Sequence, residues 1–349
     1  MIAFTVCSNN YLAEALSLGY SLIDNGLPAQ NFKIFLVDTK RQEINYRSYP
    51  FDIIEVDNDI VPDYETIVKK YRIVELSTSV KPSIFKYLIK RHPDTLYSYF
   101  DPDLFFFQSV DYLAKEIGHY SMVLTPHVTR PIPLDHHPFE NTFLNYGLYN
   151  LGYITLRPDD QGKAMLDWWE ERTLHMGYDN PADGLFVDQL WMNLVPLFFK
   201  SVKISFNLGL NVSYWNLAER RIFKENDTFY VNDSDCPLIF YHFSSFDITA
   251  TSVSKRGNSL SVEDNAALLD LMQLYKSKLE SNQYHFLKSF RPYYKLNFDE
   301  YIKRTLPQGS INDMELRLVK LLNNYTPKKL LSKVTNIVHK MNIVSKYKA

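Results

Sequence analysis

The opening of the chain constrains its fold more than any other stretch. Ile2 to Cys7 is an apolar run of strand length, and Ser8-Asn9-Asn10 is a turn whose polar side chains can cap a helix beginning near Tyr11. Leu12, Ala15, Leu16, Leu18, Gly19 and Leu22 then recur at helical spacing, and Phe32 to Val37 is a second strand, closed by Asp38. Strand, helix and strand within about forty residues form a βαβ unit, whose normal consequence is a parallel sheet covered by helices. The expected class is α/β, a mostly parallel twisted sheet with helices on both faces and one active-site cleft.

The same punctuation continues. Ile53 to Val56 reads as a third strand, and Lys81-Pro82-Ser83 opens a helix through Ile84 to Ile89, with proline in its first turn. Tyr120 to Leu124 continues the sheet. Pro126 to Phe139 carries four prolines, three histidines and Arg130, and reads as a structured loop over the site. Within Asn145 to Leu156, Gly147 and Gly152 predict a tight turn into a strand with close backbone approach to another group. Helices are expected over Asp160 to Met176 and Asp183 to Leu194. Strands are expected over Ile204 to Leu208 and over Leu238 to Phe243, which contains His242. From Val262 to Ala349 the pattern is helical and peripheral, which divides the chain into a body over 1–256 and an extension over 257–349.

Composition removes several function classes. The 349 residues carry a formal net charge of -2, so the whole protein offers no general attraction for nucleic acid. Two cysteines, Cys7 and Cys236, exclude a disulfide-dense scaffold and a Cys-rich zinc site. There is no run long enough to span a membrane and no secretory leader, so a cytoplasmic protein is expected. The charge is uneven: after Glu315 there are eight basic residues and no acidic one. From Tyr325 onward Leu330, Leu331, Val334, Ile337, Val338, Met341 and Ile343 recur at roughly helical spacing among lysines. Such a tail can lie on an anionic membrane surface or pack on the protein or a second subunit, so a homo-oligomer is compatible with it.

The chemistry-bearing motif is Asp101-Pro102-Asp103, which ends the apolar run Leu96 to Phe100 and precedes Leu104 to Phe107. On extended backbone, residues two apart point the same way, so both carboxylates can converge on one divalent ion. Pro102 favours a strand end. A hard metal held by carboxylates at a strand mouth serves a phosphate-bearing ligand, while the competing reading is a plain turn after a core strand.

Taken together, these segments resemble the GT-A-fold glycosyltransferases that use nucleotide sugars, and in particular the glycogenin and lipopolysaccharide-galactosyltransferase group and bacterial enzymes of surface-polysaccharide synthesis. The motifs are Asp101-Pro102-Asp103, Asn145-Tyr-Gly147, Asp188-Gln189 and the late His242, in that order, over residues 1 to about 256. The resemblance implies a GT-A catalytic domain over 1–256 and a metal held by Asp101, Asp103 and His242, Mn²⁺ or Mg²⁺, with Mn²⁺ modestly favoured because imidazole is softer than carboxylate. It places the nucleotide at Ser8, Asn9, Asn10 and Tyr11, with Tyr11 stacked on the base. The sugar pocket falls at Asn145, Gly147 and Asn150. Asp188 would bind donor-sugar hydroxyls, and Gln189 would stabilise an oxocarbenium ion or position the donor in a retaining reaction.

Lys81 and Lys86 are the candidate cations for the diphosphate, Lys81 preferred because it sits at the helix start. Arg130 suits an anionic donor or acceptor, and Trp215 is a candidate platform for an acceptor sugar. One departure is plain: that group follows its histidine with a Gly-x-x-Lys-Pro-Trp element, whereas this chain has Phe243-Ser-Ser-Phe-Asp247. The implied activity moves a hexose or N-acetylhexosamine from a UDP-type donor to a glycan or lipid-linked saccharide, at the inner face of the membrane. The alternatives are a noncatalytic carbohydrate-binding protein on the same fold and a sugar-nucleotide nucleotidyltransferase. The latter lacks its usual glycine-rich basic loop after the first strand.

Overall fold

In a computed structural model of the chain, β1 (Ile2–Cys7), β2 (Phe32–Leu36), β3 (Asp52–Glu55) and β4 (Tyr97–Phe100) are followed by β5 (Leu104–Phe106), β6 (Met122–Leu124) and β7 (Tyr153–Leu156). A short ribbon of β8 (Asp179–Asn180) and β9 (Leu185–Phe186) comes next, then β10 (Val202–Ile204). A three-stranded meander of β11 (Ile222–Glu225), β12 (Thr228–Val231) and β13 (Asp233–Pro237) precedes β14 (Phe240–His242). The structure describes residues 1–134, 136–249, 254 and 265–293.

Seven strands form the central sheet in the order β10-β6-β7-β4-β1-β2-β3. β1 runs parallel to both β2 and β4, β2 to β3 and β6 to β10, while β7 enters antiparallel between β4 and β6. This is the mostly parallel sheet expected from the opening βαβ unit.

Strand alternation builds two cores, one on each face of the sheet. Ala3 and Cys7 of β1 join Leu12 and Leu16 of the helix Leu12–Asp24 and Leu113 and Ile117 of the helix Asp111–Ile117. Phe4 and Val6 point the other way, to Ile84, Phe85 and Leu88 of the helix Lys81–Arg91 and to Met165, Leu166 and Trp169 of the helix Asp160–Met176. Helices therefore cover both faces, as a parallel sheet requires.

After Phe100 the chain leaves the sheet. Asp101-Pro102-Asp103 is a turn, with the Leu104 N–H donating to the Asp101 carbonyl at 3.2 Å, and β5 then pairs antiparallel with β14, Leu104 opposite His242. The aspartates are thus brought together by a turn and not by the pleat of extended backbone. The helix expected over Asp183 to Leu194 is also absent: Gly184 and Val187 adopt left-handed backbone, β9 lies between them, and only Leu190–Leu194 coils, as a 3₁₀ turn. Asn145 belongs to a helix, Glu140–Tyr146, and not to the turn that follows it.

The compact unit runs from Met1 to Tyr294, past residue 256. The helices Ala266–Ser281 and Tyr284–Lys288 are not peripheral: Leu271, Tyr275, Leu279 and Leu287 are buried in the same core as Leu12–Asp24. The basic tail lies outside the described residues. Among the described residues, no helix is long and apolar enough to cross a membrane.

Candidate active site

The turn after β4 and the last residue of β14 bring Asp101, Asp103 and His242 together. Each offers one ligand atom, and these atoms lie within 4.8 Å of one another. His242 Nε2 is 3.1 Å from Asp103 Oδ1 and 3.8 Å from Asp101 Oδ2. The other ring nitrogen, Nδ1, faces Asn211 Oδ1 at 3.3 Å. Asn211 Nδ2 donates to Asn150 Oδ1 and to Thr125 Oγ1, both at 3.0 Å, so Asn211 Oδ1 is an acceptor and Nδ1 carries the proton. That tautomer turns the Nε2 lone pair toward the two carboxylates, the arrangement that orients an imidazole as a metal ligand. Asp101 spends its other oxygen, Oδ1, on the Tyr99 hydroxyl and on Lys81 Nζ at 3.5 Å. Two carboxylates and one imidazole, with Asp101 and His242 each held from behind, fit a divalent cation.

Electrostatics point the same way. Burial alone would raise the Asp103 carboxyl, but His242 beside it holds it below its usual range. Burial alone would lower His242, but Asp103 and Asp101 raise it. A divalent cation would take the place of the imidazolium proton.

Gly152 makes this packing possible. A β-carbon there would stand 2.5 Å from His242 Cε1 and 2.7 Å from Nδ1. The group whose close approach the glycine pattern predicts is therefore His242.

Lys81 lies behind the cluster, buried in the first turn of its helix. Its Nζ is 2.9 Å from Asp188 Oδ2, donates to the Leu151 carbonyl at 3.0 Å and stands 4.1 Å above the Tyr99 ring. Burial pushes the Asp188 carboxyl up to about 6, with Lys81 opposing. Lys86 is not part of the site. Five residues further on, it is turned about 140° around the helix and pairs with Asp167 at 2.9 Å and with Glu170.

Gln189 clamps two strand approaches: Nε2 donates to the Tyr146 carbonyl at 2.7 Å and Oε1 accepts from the Leu151 N–H at 3.0 Å. Gly147, at φ +117, packs on it so closely that a β-carbon would meet Gln189 Cγ at 3.0 Å. Asn150 is buried and also contacts His127 Nε2 at 3.2 Å. Asn145 and Arg130 are exposed on their elements, and no described contact joins either to this network. Trp215 is buried edge-on against His242 at 5.1 Å, so it supports the histidine and offers no open face to an acceptor.

At the mouth of β1, Ser8 Oγ donates to Asn10 Oδ1 at 2.6 Å, and neither Ser8 nor Tyr11 caps its helix through the side chain. Asn9 is buried and donates to Asp38 Oδ2 at 2.7 Å and to the Thr39 carbonyl at 2.8 Å, which ties the ends of β1 and β2 together. Tyr11 is 41% exposed, with the Lys288 ammonium 3.8 Å above its ring. Asn211 and Tyr99, which contact His242 and Asp101, were not legible as neighbours of this cluster. Asn211 alone carried a signal, since asparagine is a residue that tolerates left-handed backbone, which it adopts here.

No protein-family model matches the chain. It is 27% identical over 183 residues to the uncharacterized protein YfnF of Bacillus subtilis (strain 168), covering 52% of this chain and 60% of that protein. It is 24% identical over 200 residues to the uncharacterized protein YfnD of the same organism, covering 56% and 61%. The matched regions span less than two thirds of either relative. Among solved structures the chain is similar to a galactosyltransferase, LgtC, in complex with donor and acceptor sugar analogues, at a TM-score of 0.46 and 12% identity over 80% of this chain and 96% of that one.

Proposed function

We propose that the chain is a metal-assisted glycosyltransferase that moves a hexosyl or N-acetylhexosaminyl group from a nucleoside-diphosphate sugar, UDP-linked, to a glycan or lipid-linked saccharide. The observation that carries this reading is the convergence of Asp101, Asp103 and His242 beside the carboxyl ends of parallel strands, next to the Ser8–Tyr11 mouth of β1. Ligands of open parallel sheets bind at such ends. A bound Mn²⁺ or Mg²⁺ supplies positive charge against that developing on the leaving diphosphate.

The chain's own residues do the rest. Asp101, Asp103 and His242 would hold the cation, and His242 is oriented by Asn211 and, through it, by Asn150. Tyr11 offers a half-open ring for the base. Asp188, held by Lys81, accepts hydroxyls of the donor sugar. Gln189 has both ends of its amide engaged by backbone, which favours a positioning role over a covalent one. Retention of the anomeric configuration follows from the Asp188-Gln189 resemblance, and synthesis of surface polysaccharide or lipopolysaccharide is the setting it suggests.

The test is incubation of the full chain with a panel of UDP- and GDP-sugars, Mn²⁺ and saccharide acceptors, with the anomeric proton of the product followed by NMR. Mn²⁺-dependent transfer with retention is the expected result. An inverted linkage would remove the proposed Gln189 role. Binding of free oligosaccharide without metal, with no nucleotide binding, would overturn the enzyme reading.

A further inference from the structure

A divalent ion between two carboxylates is already charge-compensated, so a diphosphate arriving there needs a further cation. Among the described residues, two lysines stand near the turn. Lys81 is committed, buried between Asp188, Asp101 and the Leu151 carbonyl. No lysine or arginine follows His242 within Phe243-Ser-Ser-Phe-Asp247. The other cation, Lys288, comes from far along the chain. It is the last residue of the helix Tyr284–Lys288, and together with Tyr11, Glu14, Asp103, Ser245 and Tyr284 it lines one cavity.

The segment that carries Lys288 is a strap tied to the helix Leu12–Asp24 and to the residues that follow β2. Asn282 Nδ2 donates to Ser17 Oγ at 2.9 Å, the Arg291 carbonyl accepts from Arg41 at 2.7 Å, and the Tyr293 N–H donates to Asp38 Oδ1 at 2.9 Å. These bonds fix the strap where the nucleotide is proposed to lie. Lys288 Nζ rests 2.9 Å from Glu14 Oε1, and its side chain is 34% exposed. Glu14 is an incompletely satisfied partner: its Oε2 is buried without a hydrogen-bond partner, and burial raises its carboxyl while Lys288 opposes the rise by charge and hydrogen bond. A long, flexible, partly exposed ammonium on such a carboxylate can be recruited by a stronger anion.

We infer that Lys288 is a donor-site residue whose ammonium binds the diphosphate of the nucleotide sugar, from the cavity it shares with Asp103, while Lys81 stands beside Asp101. The inference rests on the glycosyltransferase reading and adds to it a binding residue that lies beyond the span of the family-like motifs. Placing the cation on the strap couples diphosphate binding to the helices after residue 256.

Calorimetric titration in Mn²⁺ with UDP and GDP, and separately with uridine and guanosine, tests it. Lys288→Met is expected to weaken nucleoside-diphosphate binding about ten- to a hundredfold, the scale of one lost charge-assisted contact, and to change nucleoside binding, which feels Lys288 only through the Tyr11 ring, far less. Lys288→Arg retains most of the affinity, and Glu14→Gln, which frees the lysine, keeps or tightens it. The double variant Glu14→Gln/Lys288→Met leaves no unpaired buried carboxylate, so it folds and shows the same loss as Lys288→Met. Wild-type affinity in the double variant would overturn the role of Lys288 alone. An equal loss in Glu14→Gln and Lys288→Met would show the pair to be a structural tie, and would overturn it too. A wild-type chain that binds neither diphosphate would overturn the glycosyltransferase reading together with this inference.

Discussion

A β-carbon at Gly152 would meet His242 Cε1 at 2.5 Å and Asn150 Oδ1 at 2.8 Å, so Gly152→Ala pushes directly on the proposed metal ligand. The expected outcome is a loss of about 1–3 kcal/mol from overpacking, with a larger proportional loss of Mn²⁺ affinity; denaturant melts and metal titration of the same variant measure both. His127 gives a pH signature. Burial pushes its imidazole down to about 4. The unfolded chain, near pH 6.5, therefore takes up this proton first, so the stability is present above about 6.5 and is lost as pH falls toward 4, by up to about 3 kcal/mol. His127→Phe, which keeps the stack on Phe143, should flatten that part of the stability–pH curve. At this scale the sequence showed residue types and spacing but not direction. Asp101 and Asp103 stand out as two carboxylates two residues apart at the end of an apolar run, a pattern a plain turn also gives. His242 stands out only through the order of motifs in the family resemblance. Lys86 and Arg130 were not separable from true site cations, because an exposed helix or loop position carries no mark of what it faces.

Among the elements, β1, the helix Asp160–Met176 and β14 follow from apolar periodicity, because both period and length are written locally. The segment after Phe100 does not. Its aromatic run continues through Leu104 to Phe107, but the chain turns and β5 pairs with β14, a partner more than a hundred residues away that no local pattern specifies. The helix Ala266–Ser281 was legible as a helix, yet its partner was hidden for the same reason. Tyr275 stacks on Phe243 at a centroid distance of 3.7 Å and is fully buried. Tyr275→Ala is expected to cost about 3–5 kcal/mol in a denaturant titration, far more than an exposed extension would lose. A cost below about 0.5 kcal/mol, the scale of surface substitutions, would show that this helix is peripheral after all.

For the whole molecule, one sheet presents the site at its edge of strand ends, while the charge is divided between an acidic body and a tail of eight basic residues after Glu315. We propose that this tail holds the chain against anionic lipid, where a lipid-linked acceptor would be found. Co-sedimentation with neutral and anionic liposomes should show a low-salt preference for anionic lipid in the full chain that is lost in a form ending at Tyr325; equal binding by both forms would exclude the tail as the contact. The central claim, a divalent cation between Asp101, Asp103 and His242 serving a nucleotide diphosphate, is tested most directly by Mn²⁺ titration followed by electron paramagnetic resonance, with and without UDP, in wild type and Asp103→Asn. The account predicts UDP-dependent Mn²⁺ binding in the wild type, its loss in Asp103→Asn with the fold intact, and transfer slowed by about 10²–10³. Unchanged Mn²⁺ binding and wild-type kinetics in Asp103→Asn would contradict it.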